Sequence, residues 1–268
     1  MTAIFHAACP LCGGPKRKIY ELTHATLVRC SNKRCGFVFA EKQPSDQELT
    51  RHYTELYYPK SDEMVSVAKP NSDSFKFAQH FHYLDERIGL QGKRILDYGC
   101  GEGNFLEVAK HGGVSDLFGV ELNDRGRELA KVKGFSVVES IEQFAPQFFD
   151  VVYMNDVIEH LRDPVDVLRK IHTLLSPGGI LFVVTMNIKG LKARIRGKKW
   201  DLVTDPTHFY FYDRVSLEYS LKLAGFNRAE EALFVVNFSH HGWARRILQR
   251  ILVLTSLDTG LKFLAWKK

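Results

Sequence analysis

The feature that most constrains the fold is a strand, a glycine-rich turn, a helix and a second strand within residues 93–121. An apolar strand near 94–98 leads into glycines at alternate positions of 99–103, and a helical segment follows. Alternating glycines let the backbone approach a ligand closely. The second strand, near 116–121, ends in Glu121, whose carboxylate can accept hydrogen bonds from both hydroxyls of a ribose. The segment therefore predicts an α/β fold with a nucleoside-binding edge.

Asp97, which lies just before the first glycine, indicates which nucleoside binds. The dinucleotide fingerprint G-x-G-x-x-G seats a pyrophosphate on a helix N-terminus, but the glycines here follow G-x-G-x-G. A carboxylate beside the turn would repel a pyrophosphate, whereas it suits the ammonium group of a methionine. We therefore predict S-adenosylmethionine as the cofactor. The alternative is a turn that needs glycine only for its backbone conformation.

The chain after residue 93 alternates apolar strands with helical segments. Further strands are expected near 135–139, 149–154 and 179–184, the last entered through a tight turn at 176–179. Asp213 is expected to cap a later helix. This order of elements predicts a doubly wound parallel sheet. A helix over 75–88 is expected before the sheet, and strand-like runs at 232–238 and 261–266 after it.

Five motifs occur in order along residues 93–187: Asp97–Gly103, Val120–Glu121, Phe149–Val152, Asn155–Leu161 and Leu174–Gly179. In order and spacing they resemble the class I S-adenosylmethionine-dependent methyltransferases. The resemblance implies a doubly wound, seven-stranded Rossmann-like sheet. It also implies an enzyme that uses S-adenosylmethionine.

The resemblance gives roles to residues at the strand ends. Gly99 and Gly101 would line the methionine and ribose, and Leu122 would pack on adenine. Ser140 departs from the acid that the family usually places against the adenine amine. Asn155 and Asp156 end the fourth strand, at the edge where open α/β sheets bind ligands, and should border the methyl group. The predicted cofactor residues are Asp97, Gly99, Gly101, Glu121, Leu122, Ser140, Ile141, Asn155 and Asp156.

Four of the five cysteines form two close pairs, C-x2-C and C-x4-C, near the start of the chain. Such pairs are typical of a metal site and not of a disulfide framework. Four thiolates suit tetrahedral zinc and leave no open position, so the metal should be structural. Unbound thiols are the alternative, and Cys100, in the cofactor turn, is assigned no chemistry. The predicted zinc ligands are Cys9, Cys12, Cys30 and Cys35.

Three segments are predicted: a zinc ribbon at 1–42, a connecting helix and linker at 43–72, and a methyltransferase domain at 73–268. Ser45 and Glu48 have the spacing of a capping box that starts the connecting helix. The ribbon and this helix together resemble the start of methyltransferases from glycan and sugar-modifying pathways.

An acceptor-side insertion is predicted at 188–212, with six cations within 189–199. A solvated charged face is one explanation. The other is a clamp for phosphate on a nucleotide-sugar, a lipid-linked glycan or RNA. The aromatic run 205–212 that follows resembles the acceptor-side loop of the same methyltransferases.

Methyl transfer from a sulfonium depends mainly on positioning, and a hydroxyl acceptor also needs a base to remove its proton. His208 is the first candidate base and His160 the second. His160 would share a helical face with Asp156 if that segment is helical. Either histidine can instead have a purely structural role, and Glu159 and His160 can simply brace a helix.

The segment 243–257 predicts an amphipathic helix with basic residues. It could lie on an anionic membrane, or pack against the sheet or a partner subunit. The chain start has no signal-like apolar region, and no apolar run reaches the length of a membrane span. We therefore expect a cytoplasmic protein, with peripheral membrane contact as an option.

These patterns predict a methyltransferase that acts on a small-molecule or glycan acceptor, at a hydroxyl, by in-line transfer with a histidine base. The excess of 37 Lys and Arg over 31 Asp and Glu suits an anionic partner but selects none. One alternative is an RNA methyltransferase whose zinc module and basic loop grip the polynucleotide. Another is a non-catalytic module that binds the cofactor.

Overall fold

The computed structural model describes residues 2–45, 47–49, 72–234 and 243–268. The strands are β1 Ile4–Phe5, β2 Lys16–Glu21, β3 Thr26–Cys30, β4 Val38–Ala40, β5 Lys42–Gln43, β6 Ile95–Tyr98, β7 Leu117–Val120, β8 Ser136–Val138, β9 Phe149–Asn155, β10 Leu175–Met186, β11 Tyr210–Phe211, β12 Arg228–Glu231 and β13 Gly260–Trp266. The helices are α1 Ser72–Ile88, α2 Asn104–His111, α3 Asp124–Val132, α4 Pro164–Leu174, α5 Leu191–Arg196, α6 Asp201–Thr204, α7 Arg214–Leu223 and α8 Trp243–Leu254.

The main sheet has seven strands in the order β12-β13-β10-β9-β6-β7-β8. The five strands from β10 to β8 are parallel, and β13 runs antiparallel to both β10 and β12. The predicted α/β fold class is confirmed, with a mixed sheet. The strand order reverses beside β6, so the carboxyl ends of β6, β7 and β9 meet at the crevice where such sheets bind ligands.

Helices cover both faces of this sheet because its strands alternate side chains between two cores. In β10, Leu181 and Val183 pack with α4 and α7, whereas Phe182 and Val184 pack with α1, α2 and α3. A central strand buried on both faces reads as a continuous apolar run, which explains why periodicity located it.

A smaller sheet has the order β11-β4-β3-β2. Its edge strand β11 comes from the predicted insertion and pairs antiparallel with β4, Tyr210 opposite Phe39. Phe37 stacks on Tyr210 with ring centroids 5.5 Å apart. Phe37 and Phe39 also belong to the same apolar cluster as one face of the main sheet. The cysteine-bearing segment and the main sheet therefore share one core.

The tight turn predicted at 176–179 is wrong. These residues lie inside β10, where the register shifts between Leu175 and Ile180. Leu175 already pairs with Phe149 of β9, so the extra residues are absorbed as an irregularity in the strand. Gly178 takes a φ of 77° there.

The strand predicted at 232–238 is also misplaced, because β12 ends at Glu231. Its register is fixed by β13, with Glu231 opposite Phe263. Residues 235–238 lie outside the described part of the chain.

The predicted helix caps are confirmed. Ser216 N–H donates to Asp213 Oδ1 at 2.8 Å, which starts α7 with a capping box. Ser45 N–H likewise donates to Glu48 Oε2 at 2.6 Å. The part of the predicted connecting helix that follows Leu49 falls outside the described residues. None of the described helices has the length and apolar character needed to cross a bilayer.

Candidate functional site

The glycine-rich turn folds back onto the end of β7. Gly99, Gly101 and Gly103 all have positive φ, between 52° and 79°. At Gly99 a Cβ would lie 2.4 Å from Val157 Cγ2, so a side chain is excluded by space as well as by conformation. The N–H groups of Gly99 and Cys100 donate to Val120 O. Backbone therefore lines the crevice at this point, as the spacing of the glycines predicts.

Glu121 is held against this turn by backbone donors. Gly101 N–H donates to Oε2 at 2.8 Å and Asn123 N–H to Oε1 at 2.7 Å. Two carboxylate oxygens can accept more bonds than these, so the group can still receive hydroxyl donors. Beside it, the Leu122 side chain is 75% exposed, which leaves an apolar surface of the kind that an aromatic base covers.

Asp97 is a buried acid at the end of β6, 3% exposed. Burial, and then the charge of Glu121, raise the pKa of its carboxyl group. No hydrogen bond reaches this carboxylate from the described part of the chain. A buried carboxylate without a partner is costly, and a cationic ligand would remove that cost. The ammonium of S-adenosylmethionine fits this requirement.

Asn155 and Asp156 follow β9 at the same edge. Asn155 Oδ1 is buried without a hydrogen-bond partner among the described residues, while its Nδ2 donates to Asp156 Oδ2 at 2.8 Å. Asp156 has a φ of 54°, which is rare for a residue other than glycine. Its carboxylate pairs with Lys76 of α1 at 3.1 Å. The edge thus carries an unused acceptor next to a strained backbone position.

Ser140 and Ile141 lie after β8. Ser140 caps the 3₁₀ helix Ile141–Gln143, and its hydroxyl contacts the Glu142 carboxylate. Glu142 also pairs with Lys170 of α4 at 2.9 Å. The sequence analysis did not single out Glu142, which places a carboxylate near the position where Ser140 replaces the usual acid.

Cys100 has the environment of a structural residue. It is 7% exposed, and burial strongly raises the pKa of its thiol. Such a thiol is unreactive.

The two candidate bases lie side by side, with ring centroids 4.6 Å apart. His160 Nδ1 is 3.0 Å from Thr207 O, and His208 Nδ1 is 2.6 Å from Leu202 O. Because a carbonyl only accepts, each Nδ1 carries the proton. Burial, followed by the charge of His208, lowers the pKa of His160 to about 4.

The condition for a helical face shared by His160 and Asp156 is not met. The chain leaves β9 through the positive φ of Asp156 and forms only one 3₁₀ turn, Ile158–His160. This turn instead directs His160 toward the loop that carries His208.

Glu159 is a third member of this group that sequence reasoning considered only as a brace. It is 2% exposed, accepts a hydrogen bond from Thr185 Oγ1 at 2.9 Å, and lies with both histidines so that one ligand atom of each is within 4.8 Å of the others. Burial, followed by the charge of Asp156, raises the pKa of Glu159 to about 8. Its place next to His160 in the sequence could have suggested that the two side chains act together. Nothing in the sequence indicated that Glu159 also lies close to His208.

The four predicted zinc ligands converge. Cys9 and Cys35 have sulfurs 3.7 Å apart, Cys12 and Cys30 have sulfurs 3.4 Å apart, and all four lie within 4.8 Å of one another. Tetrahedral zinc with Zn–S bonds of about 2.3 Å requires sulfurs separated by roughly 3.8 Å. The cluster therefore fits a four-thiolate zinc site.

Part of the basic insertion is paired with acids. Lys192 and Arg196 contact Asp201 at 3.4 and 2.7 Å, and Lys189 contacts Asp213. The two pairs with Asp201 are exposed on both sides and support the interpretation of a solvated charged face, whereas Asp213 is buried.

A cavity of about 250 Å³ lies between the cysteine-bearing segment and the loop after α6. His24 and Lys42 line it from the first, and Thr207, His208 and Phe209 from the second. It is thus shaped by two parts of the chain that are distant in sequence.

Comparisons with known proteins agree with this geometry. Residues 64–231 match a family described as a methyltransferase domain. The ubiquinone biosynthesis O-methyltransferase of Pseudomonas aeruginosa is 34% identical over 116 residues, which are 40% of this chain and 50% of that protein. The protein of the same name from Pseudomonas fluorescens is 32% identical over the same shares. The chain spans about half the length of these curated relatives.

Solved structures share the fold. A SAM-dependent methyltransferase from Archaeoglobus fulgidus has a TM-score of 0.54 at 20% identity, covering 73% of this chain and 97% of that one. One from Mesorhizobium loti has a TM-score of 0.53 at 19% identity, covering 70% and 97%. The [4+2]-cyclase SpnF shares the fold with a TM-score of 0.50 at 22% identity, covering 71% of this chain and 80% of that one. A cyclase with this fold shows that the fold alone does not determine the reaction.

Proposed function

The chain belongs to the methyltransferase-domain family, and from this premise we propose that it transfers the methyl group of S-adenosylmethionine to a hydroxyl of a small-molecule or glycan acceptor. The observation that carries the proposal is the buried carboxylate of Asp97, which accepts no hydrogen bond from the described residues, beside the backbone-held carboxylate of Glu121. The Asp97 carboxylate suits the ammonium of S-adenosylmethionine, and the Glu121 carboxylate suits its ribose.

The remaining predicted cofactor residues have compatible places. Gly99 and Gly101 would lie along the methionine and ribose, and Leu122 under adenine. Ile141, with Ser140 and the neighbouring Glu142, would border the adenine edge. Asn155 and Asp156 would face the methyl group, where Asn155 Oδ1, which has no hydrogen-bond partner among the described residues, can accept a hydrogen bond.

In this proposal the cofactor supplies an electrophilic methyl group, and the protein positions the acceptor for in-line attack. His208 is the first candidate to remove the hydroxyl proton, because its Nδ1–H donates to Leu202 O and Nε2 is then the basic nitrogen. The carbonyl would stabilise the ring once it is protonated. His160, held in the same way by Thr207 O, is the second candidate.

The acceptor would enter the cavity between the cysteine-bearing segment and the His208 loop, where Lys42 and His24 offer contacts to acidic or hydroxylated groups. The named activity of the ubiquinone O-methyltransferases supports a small-molecule hydroxyl. The resemblance to sugar-pathway enzymes keeps a glycan, with or without phosphate, in the proposal. The zinc at Cys9, Cys12, Cys30 and Cys35 would hold this side of the cavity in shape.

A peripheral membrane contact through 243–257 is a further part of the proposal. Ile247, Ile251 and Leu254 of α8 are each about half exposed or more. That apolar face could rest on a lipid surface or on a partner subunit.

We also propose that the chain is divided into three segments: the ribbon at 1–42, the connecting segment at 43–72 and the methyltransferase domain at 73–268.

The reaction is tested by incubating the protein with methyl-labelled S-adenosylmethionine and separated small-molecule, glycan and RNA fractions of a cell extract. We expect the label in the small-molecule or glycan fraction. Label in RNA, with affinity that falls steeply between low and physiological salt, would favour the RNA alternative. Saturable cofactor binding with no transfer to any fraction would favour a non-catalytic module.

A further inference from the structure

We propose that Glu159, His160 and His208 bind a divalent metal ion at the acceptor side of the site, separate from the cysteine cluster. One ligand atom from each of the three residues lies within 4.8 Å of the other two. Ligand atoms around one ion, at bonds of about 2.0–2.2 Å, are separated by roughly 3–4 Å, so small side-chain adjustments suffice. The inference rests on the proposed methyl transfer, but it replaces the histidine base: both histidines become metal ligands through the nitrogen that would otherwise accept the proton.

The histidines are oriented as metal ligands usually are. Each points Nδ1 at a backbone carbonyl, Thr207 O for His160 and Leu202 O for His208. Metal-binding histidines typically donate one ring N–H to such a carbonyl, which fixes the tautomer and directs the other nitrogen to the metal. Nε2 is therefore the nitrogen through which each ring would bind.

The carboxylate has the complementary support. Thr185 Oγ1 donates to Glu159 Oε2 at 2.9 Å, and Glu159 is 2% exposed. No salt bridge to Glu159 occurs within the described ranges 2–45, 47–49, 72–234 and 243–268. A carboxylate buried in this way is costly unless a cation compensates it, and a metal ion between it and two imidazoles would do so.

The backbone fixes the two ligand-bearing segments together. Phe209 N–H donates to Glu159 O at 2.9 Å, and Ala40 N–H donates to Phe209 O at 2.7 Å. His208 therefore reaches Glu159 on a loop held from one side by the 3₁₀ turn Ile158–His160 and from the other by β4. A site supported in this way is preorganised.

The donor set indicates the class of ion. Two imidazoles and one carboxylate suit Zn²⁺, Fe²⁺ or Mn²⁺, whereas Mg²⁺ and Ca²⁺ prefer oxygen alone. Three protein ligands leave a coordination position open, unlike the four thiolates of the cysteine cluster.

The open position would take the acceptor oxygen. A bound divalent ion lowers the pKa of an oxygen ligand, so the hydroxyl would lose its proton to solvent without a histidine base. The oxygen would then form its bond to the methyl carbon as the carbon–sulfur bond breaks, with that electron pair leaving on sulfur. Acceptors with two adjacent oxygens, which can chelate the ion, fit this site best.

The test is equilibrium dialysis of the zinc-loaded full chain against Zn²⁺, Fe²⁺ or Mn²⁺, with metal counted by mass spectrometry. We expect one ion of the three to give a second equivalent per chain. Glu159→Gln and His208→Gln should lose it, and Thr185→Val, which removes only the supporting hydroxyl, should weaken it by about 10–100-fold. His172→Gln, on α4 beside Phe226, is the matched control and should keep it.

No second equivalent with any of the three ions, or one that survives both Glu159→Gln and His208→Gln, would overturn the inference. S-adenosylmethionine affinity, measured on the same samples by calorimetry, separates this failure from failure of the proposed function. Affinity retained in wild type and variants leaves the cofactor assignment intact. If the ligand variants unfold, judged by thermal melting, the Thr185→Val and His172→Gln pair still decides the question.

Discussion

The cofactor side and the acceptor side of this molecule are assembled in different ways. On the cofactor side, the hydrogen bond from Gly101 to Glu121 joins residues only 20 apart in the sequence. On the acceptor side, His160 meets Thr207 across 47 residues, and Gln43 meets Tyr210 across 167. The Asp97–Glu121 part of the cofactor side depends on one strand-turn-helix unit and its neighbour. The acceptor side depends on the cysteine-bearing segment, β11 and the end of β9 all being in place.

This difference predicts that the two sides can be damaged separately. Cys30→Ser should have the largest effect, because structural zinc contributes on the order of 10 kcal/mol to folding of small modules. We expect zinc content to fall from one equivalent at the cysteines to none, and methyl transfer to be lost with the position of His208. S-adenosylmethionine affinity should change by less than about threefold.

Cys100→Ala is the control for zinc content, since Cys100 lies outside the cluster. Elemental analysis, calorimetry and a transfer assay on the same preparations make the comparison. If zinc loss weakened cofactor binding as much as transfer, the two sides would not be separable.

His208→Gln should have the next largest effect, and only on the acceptor side. Loss of a positioned proton acceptor typically costs about 10²–10⁴ in rate, and loss of a metal ligand would act in the same direction. We expect kcat to fall by that range while the Kd of S-adenosylmethionine stays the same. Unchanged turnover would show that His208 acts neither as the base nor as a metal ligand in methyl transfer.

Tyr210→Phe should have a smaller effect, on stability. The buried hydroxyl accepts from Gln43 Nε2 at 2.7 Å and donates to Arg162 O at 3.0 Å. Removing the hydroxyl leaves both partners without their hydrogen bond, which should lower the free energy of unfolding by about 1–3 kcal/mol. Tyr219→Phe on α7 is the control, because no hydrogen bond from its hydroxyl occurs within the described residues. Equal melting temperatures for the two variants would show that these hydrogen bonds do not hold β11 to Gln43 and Arg162.

The same difference explains how far the sequence alone could lead. The turn at Gly99, the carboxylate of Glu121 and the cysteine spacing are local patterns, and each predicts its own geometry. The main strands were located because central strands are apolar on both faces. The exception at 176–179 arose because a glycine-rich stretch predicts a turn, whereas pairing with β9 kept it within β10.

The acceptor side was less accessible because its contacts are not local. His160 and His208 were each predicted as bases, but nothing in their spacing indicated that their rings lie together. Glu159 completes the group only after Phe209 pairs with its carbonyl. The pairing of β11 with the smaller sheet was not predictable either, because it depends on contacts of Tyr210 with Phe37 and Phe39, which are distant in sequence.

The central claim is that Asp97 and Glu121 form an S-adenosylmethionine site, and a calorimetric titration tests it most directly. Wild-type protein should bind one equivalent, and Glu121→Ala should weaken binding by roughly 30-fold or more, since truncating one partner of a buried charged hydrogen bond costs about 2–5 kcal/mol. Glu128→Ala, an exposed acid on α3, should leave the affinity unchanged. No binding by the wild type, or equal affinity in Glu121→Ala, would contradict the account.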